Sequence, residues 1–463
     1  MHMKNQLLEE AIHSYQEEAV QTLQKWVRQP SFPTEAKEGA PFGEDTRKML
    51  DLALEDCKRL GFSVKNVSGY AGLCDYGEGE DIDALGILGH LDVVPVGSNW
   101  TREPFGAQII DHKMYGRGTS DDKGPMVAAL YALAAVKKAG IPLTRKVRLV
   151  FGCDEETGME SIKRFKEEET MPRSGFSPDA DYPVINIEKG GCHIVLRGAL
   201  SDEGVKLISF HTGEQINVIP GQATAVVAGG EDVRVLAERC AKELGFKLIA
   251  EPDGDRLQLT TYGKDGHAAM GEDAKNAIGQ MLLILKGIGV RGAVEHLADT
   301  VGTTYFGENL GIAMQDILSG HLTCSLDIIH TNEKEQTIEA YLDIRYPLMM
   351  GEEAMMRVMR MVLDGRLEAE LVSSRLPHFV SANSDLVRQL LSAYEEVTGE
   401  EGKALAIGGG TYAKAMEEGV AFGALFPGDQ EMAHQPDEYM DLDRFTQNMR
   451  IIAYAIVKLC GKR

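Results

Sequence analysis

Between residues 5 and 190 the chain alternates short apolar runs with longer stretches whose apolar positions recur at helical spacing. The runs "DALGILGHLDVV" (83–94), "KVRLVFGC" (146–153) and "YPVINIEKG" (182–190) read as strands, and "GPMVAALYALAAVKKAG" (124–140) reads as a helix between them. Strand and helix in alternation predict an α/β sheet covered by helices. From 191 to 380 the texture changes. There "TAVVAG", "EDVRVLAERCAKELG" and "RLQLTTYGK" form a β-α-β pattern, and "TIEAYLDIRYP", "GEEAMMRVMRMVLDG" and "LEAELVSS" repeat that order. After 381 the first texture returns in "LVRQLLSAYEEVTG" and "VAFGALFPG". The pattern therefore predicts a discontinuous α/β domain, 1–190 and 381–463, with a mixed sheet covered by helices. Into it is inserted an α+β domain, 191–380, built from two β-α-β-like units. Such insertions are tolerated because the termini of a compact domain often lie close together.

A length of 463 residues agrees with two domains. Asp and Glu number 71 against 48 Lys and Arg, and the net charge of -23 repels phosphate backbones and anionic membrane surfaces. Neither nucleic acid nor membrane is an expected partner. The excess also offers carboxylates to hold cations. Seven cysteines, an odd number without a Cys-x-x-Cys pair, argue against a disulfide framework or a zinc knuckle and for a reducing compartment. The opening "MHMKNQLLEEAIHSYQEEAVQTLQKWVRQPSF" reads as a charged amphipathic helix rather than a signal peptide, and a cytoplasmic location is expected.

Ligand-grade side chains gather at the ends of the apolar runs. "GILGHLDVVP" puts His90 and Asp92 two apart, on one face if the strand continues that far. "YGRGTSDDKGP" supplies Asp121 and Asp122 before a helix; "LVFGCDEETG" supplies Asp154, Glu155 and Glu156; "SPDADYPVI" supplies Asp179 and Asp181; "GDQEMAHQPDEYM" supplies His434. Each has an ordinary reading: a core histidine, an N-cap, a solvated turn, a turn initiator. In an open α/β sheet, however, residues at strand exits meet outside the carboxyl ends.

Taken in order, "GHLDVVP", "GRGTSDDKGP", "DEETG", "SPDADYPVINIEKG", "GKDGHAAMG", "GGGTYAK" and "MAHQPDEYM" resemble the dinuclear zinc metallopeptidases of the aminoacylase and carboxypeptidase kind, specifically the PepV-type bacterial dipeptidases. The resemblance spans nearly the whole chain. It makes the discontinuous domain catalytic and the insert a lid. It implies one metal ion on His90, Asp121 and Asp179, and another on Asp121, Glu156 and His434. Zn²⁺ suits such imidazole and carboxylate donors, and Mn²⁺ or Co²⁺ can occupy the same set. Sharing Asp121 implies ions roughly 3.5 Å apart, and the resemblance also implies a cis peptide between Asp121 and Asp122.

Asp92 would then accept the second ring N–H of His90, and Glu155 would be the general base for a metal-bridging water. By the same resemblance, His267 in "GKDGHAAMG" reaches the tetrahedral oxyanion and Asn217 and Arg345 hold substrate. The backbone of "GGGTYAK", at Gly409, Gly410 and Thr411, approaches the substrate carboxylate. The expected activity is hydrolysis of unblocked dipeptides over a broad side-chain range, with β-alanyl dipeptides within reach. Asp179 favours this, since in the wider clan an aspartate there accompanies recognition of a free amino terminus. The alternatives are an N-acyl-amino-acid deacylase on the same scaffold and a catalytically dead member that binds metal or peptide. Because the insert holds two similar units, a monomer with a small peptide substrate is expected.

Overall fold

The computed structural model describes residues 2–462; Met1 and Arg463, the outer limits of the expected first domain, lie outside the described residues. The chain divides into two compact units, Met1–Asn186 with Phe379–Leu405 and Gly410–Arg463, and Ile187–His378 with Ala406–Gly409. These boundaries fall within a few residues of 190/191 and 380/381. The exception is Ala406–Gly409, which was expected in the first domain. It groups with the second because Lys189 N–H binds the Ile407 carbonyl, and Arg345 and Arg375 bind the Gly408 carbonyl.

In the first unit a mixed sheet runs in the order Ser63–Val67, Ala71–Tyr76, Val147–Gly152, Leu85–His90, Ser174–Ser177, Glu418–Ala421, Val184–Glu188. The four central strands, from Val147–Gly152 to Glu418–Ala421, are parallel, and their neighbours on both sides are antiparallel. Buried on both faces, Leu85–His90 and Val147–Gly152 are continuously apolar but for His90 and Arg148, as central parallel strands must be. The helix Lys123–Lys138 links them and is buried from Lys123 to Val136, which explains why its sequence is apolar all round.

This order locates the site. The connection leaving Leu85–His90 leads to Val147–Gly152 on one side, and that leaving Ser174–Ser177 leads to Val184–Glu188 on the other. Between those two strands the direction of winding reverses, and in open α/β sheets it is at the carboxyl ends beside such a reversal that ligands bind. His90 closes one strand and Asp179 follows the other.

The second unit is one antiparallel sheet ordered Lys247–Asp253, Arg256–Tyr262, Gln222–Ala228, Leu207–Thr212, Thr323–Asn332, Thr337–Tyr346, Gly190–Gly204, with Val290–Gly292 and Glu368–Arg375 both paired to the last. Two strand–helix–strand passages occur in it, through the helices Glu231–Leu244 and Glu352–Leu363. Each joins strands separated by one intervening strand, so the two units of the sequence pattern share a single sheet. Among the described residues, no helix is long and apolar enough to cross a membrane.

Candidate metal centre

His90 is buried, and its Nδ1 lies 3.0 Å from the Asp92 carbonyl oxygen and 3.4 Å from the Asp92 carboxylate. The ring is thus held chiefly by the backbone of Asp92, where the sequence had suggested its carboxylate. That carboxylate is engaged elsewhere: Oδ1 and Oδ2 accept the N–H groups of Glu155 and Glu156, each at 3.1 Å. Asp92 therefore fixes both the imidazole and the tandem glutamates. With Nδ1 turned to a carbonyl, Nε2 is the ring atom left to face the Asp121 side.

The ordinary readings sort themselves by hydrogen bonding. Asp122 precedes the helix Lys123–Lys138 without capping it, and its Oδ2 instead accepts the backbone N–H of His90 at 3.0 Å. Asp154 does serve as a turn acid, binding the N–H groups of Glu160 and Ser161 at 3.0 and 2.9 Å. The peptide between Asp121 and Asp122 is cis.

Asp121 stands at the centre. Its Oδ1 is 2.9 Å from His90 Nε2 and its Oδ2 is 3.1 Å from His434 Nε2. Glu156 Oε1 lies 3.0 Å from the same His434 nitrogen, and Asp179 Oδ2 lies 3.7 Å from His90 Nε2. Ligand atoms of His90, Asp121 and Glu156 lie within 4.8 Å of one another, as do those of His90, Glu155 and Asp179. His90 Nε2 and Asp121 Oδ1, 2.9 Å apart, are both buried, and neither has a hydrogen-bond partner. Orphaned polar atoms at this depth are costly, and a divalent cation satisfies both. Carboxylates outnumber imidazoles in both clusters, His90 with Asp121 and Glu156 and His90 with Glu155 and Asp179, so the donor set fits a cation.

Burial raises Glu155 well above the usual carboxylate range; His90 opposes this, and Asp179, Glu156 and Asp121 reinforce it. Burial also raises Asp179 to about 7, assisted by Asp121. Hydrogen bonds with Asp121 and Glu156 push His434 up to about 11. His434 without metal is therefore held protonated at pH 7, and would have to shed that proton to take up a metal. Metal uptake at pH 7 is expected to release protons, and affinity is expected to rise with pH through about 7 and above. Calorimetry in buffers of different ionisation enthalpy measures the release; a pH-independent affinity between 6 and 9 contradicts it.

The remaining candidate residues belong partly to the second unit. Asn217 has φ of +94°, donates its N–H to Asp327 Oδ2 at 2.8 Å and accepts Ala268 N–H at 2.8 Å. Val218 pairs with His267, so Asn217 and His267 are neighbours. His267 Nδ1 accepts the N–H of Ala269 at 3.2 Å, which puts the proton of the neutral ring on Nε2. Arg345 is held by Asp343 at 2.6 Å and by the Gly408 carbonyl at 3.3 Å, one residue from Gly409. A Cβ at Gly408 would meet the Ala269 Cβ at 2.9 Å, whereas one at Gly409 has ordinary room. Gly410 and Thr411 belong to the first unit, where Thr411 Oγ1 accepts Ala413 N–H and caps a short turn.

Residues 86–458 match the peptidase family M20/M25/M40. Over 441 residues the chain is 36% identical to a putative dipeptidase, YtjP, of Bacillus subtilis, covering 92% of this chain and 93% of that one. A putative dipeptidase of Staphylococcus aureus (strain MRSA252) is 31% identical over 97% of this chain and 99% of its own. The chain belongs to the M20/M25/M40 peptidases. Among solved structures, the fold is similar to that of the dipeptidase Dug1p of Saccharomyces cerevisiae (TM-score 0.60, 16% identity, 99% of both chains) and of human carnosine dipeptidase 1 (TM-score 0.59, 16% identity, 99% of this chain and 98% of that one). This M20/M25/M40 chain is a hydrolytic enzyme of a metal-dependent peptidase family with candidate metal ligands in place.

Sequence reasoning missed Glu438, Arg117 and Lys123 of this peptidase. Glu438 is fully buried and raised to about 6 by burial and then by Asp121. It pairs with buried Arg117 at 2.8 Å. Lys123 donates to the carbonyls of Trp26 and Gln29 and is lowered to about 7 by burial. A Glu in "HQPDEYM" reads as solvent-facing; only its place four residues after His434 could have flagged it.

Proposed function

We propose that the chain is a dinuclear metal-dependent dipeptidase acting on unblocked dipeptides over a broad side-chain range, β-alanyl dipeptides included. The observation that carries this reading is Asp121, whose two oxygens face two histidines at 2.9 and 3.1 Å. His90, Asp121 and Asp179 would hold one ion and Asp121, Glu156 and His434 the other, with zinc preferred and manganese or cobalt able to replace it. When bound, such ions polarise a carbonyl and lower the pKa of a water.

The chain's own residues do the rest. Asp92 fixes His90 and the backbone of Glu155 and Glu156. Glu155 takes the proton from the attacking water and delivers it to the amine that leaves as the peptide C–N bond breaks. His267, with its proton on Nε2, donates to the oxyanion. Asn217, Arg345 and the backbone at Gly409, Gly410 and Thr411 bind the substrate, with the Arg345 guanidinium serving its carboxylate. Asp179 serves the free ammonium. The relatives named putative dipeptidases support this substrate class. The insert's two strand–helix–strand passages in one sheet support a monomer.

Recognition of both charged ends is tested with free, N-acetylated and C-amidated dipeptides and with tripeptides. Removing one charge strands its buried counterpart, at about 1–3 kcal/mol. Each blocked end is therefore expected to slow kcat/KM by about tenfold to a few hundredfold. An N-acetyl amino acid cleaved as fast as the best free dipeptide would replace this reading with the deacylase. No turnover at full metal load would leave a binding protein.

A further inference from the structure

Two irregular loops carry Asp121 and His434. They leave from paired strands, Lys113–Tyr115 and Tyr439–Asp441, where Tyr115 lies opposite Tyr439. From there each runs several residues to its ligand without regular structure, through left-handed backbone at Gly118 (φ +88°), His434 (φ +63°) and Asp437 (φ +57°). The strand pair ends before either ligand. Something else must fix their separation.

Glu438 and Arg117 span that gap. The Glu438 carboxylate accepts the N–H of Gly118 at 3.1 Å, of Ser120 at 2.8 Å and of Asp121 at 3.2 Å, and Arg117 Nη1 at 2.8 Å. The Arg117 guanidinium reaches back to the carbonyls of His434 at 3.4 Å and Gln435 at 3.3 Å, and to Val96 at 3.4 Å. Both side chains are buried, at 0% and 2% exposure, so solvent does not screen the pair. One chain of charge-assisted hydrogen bonds thus joins the N–H of Asp121 to the carbonyl of His434. Neither residue lies among the ligand groups.

We propose that Glu438 and Arg117 are positioning residues, a clasp that sets the spacing of the Asp121 and His434 loops and so tunes affinity for the ion those two share with Glu156. This rests on the metal-site reading above. A chelate drawn from two loops loses affinity to the entropy of ordering them unless they are held beforehand, and this clasp holds them. The other ion, on His90, Asp121 and Asp179, draws His90 from a strand end and Asp179 from just beyond one, and meets the clasp only through Asp121.

The test compares wild type with Glu438→Gln, which puts an amide donor against backbone N–H groups, and Arg117→Lys, which keeps the charge and loses the fork that reaches His434. Zinc binding to the metal-stripped proteins is measured by chelator competition, with circular dichroism to confirm folding. In both variants the ion on Asp121, Glu156 and His434 is expected to weaken by about tenfold to a hundredfold, and the other, which meets the clasp only through Asp121, to weaken much less. Activity lost at limiting zinc should return at excess zinc through kcat, with KM unaltered. Folded variants that bind both ions as wild type does, or that weaken both alike, overturn the clasp and leave the metal site standing. Should Glu438→Gln not fold, Arg117→Lys decides alone. Wild type that binds no zinc overturns the metal-site reading and the clasp with it.

Discussion

Replacing Glu155 by Gln is expected to lower kcat by about 10²–10⁴-fold while bound metal stays at the wild-type level. The two neighbouring glutamates receive the same backbone support, since one carboxylate, that of Asp92, binds both N–H groups. Their side chains differ in what they meet. Glu156 lies 3.0 Å from His434 Nε2 and groups with His90 and Asp121, whereas Glu155 groups with His90 and Asp179. Burial holds Glu155 above the ordinary carboxylate range, which strengthens it as an acceptor of the water's proton in the proposed role. Gln matches its size and cannot carry the proton. Glu156→Gln should instead lower metal content, with activity recovering in part as metal is added. Metal analysis and kinetics on the same samples check both. If the two variants lose metal equally and regain full activity with excess zinc, the division of roles between them is wrong.

How much of this was legible in the sequence depends on distance along the chain. The strand ending in His90 and the strand leading to Asp154–Glu156 are continuous apolar runs, and their parallel pairing brings their carboxyl ends together with no further instruction. The alternation of helix and strand, the change of texture near 190 and its return near 380 are local signals as well. What stayed hidden was set by contacts between segments far apart. Ala406–Gly409 looks like the rest of its surroundings, yet the Gly408 carbonyl is held by Arg345 and Arg375. Asp92 was legible as a companion of His90 because they are two residues apart. That its carboxylate turns to Glu155 and Glu156 was not, because those N–H groups lie over sixty residues away. The Glu438–Arg117 pair spans 321 residues, and neither side chain sits on an apolar face that would announce burial. Charged residues are assumed exposed unless paired, and the pairing is invisible until the chain is folded.

The same geometry makes Asp121 the position where a single conservative change should do most to the metal content. Asp121→Asn removes one of two oxygens that face different histidines, His90 on Oδ1 and His434 on Oδ2. An amide cannot serve both: whichever way it turns, its NH₂ presents donors to a nitrogen or a cation, while only its one oxygen accepts. The Asp122 carboxylate cannot substitute, because its Oδ2 is occupied by the backbone N–H of His90 and burial raises its pKa well above the usual range. The variant should therefore lose both ions at a zinc concentration where wild type keeps two. Its loss of affinity should exceed the roughly 10- to 100-fold that a residue outside the ligand set costs. His434→Ala provides the comparison. It takes one ligand from one ion only, so it should retain the ion on His90, Asp121 and Asp179. Elemental analysis after equilibration with zinc gives the stoichiometry of each. Asp121→Asn holding two ions would show that Asp121 is not the ligand the two ions share, and His434→Ala losing both would show that His434 does not serve one ion alone.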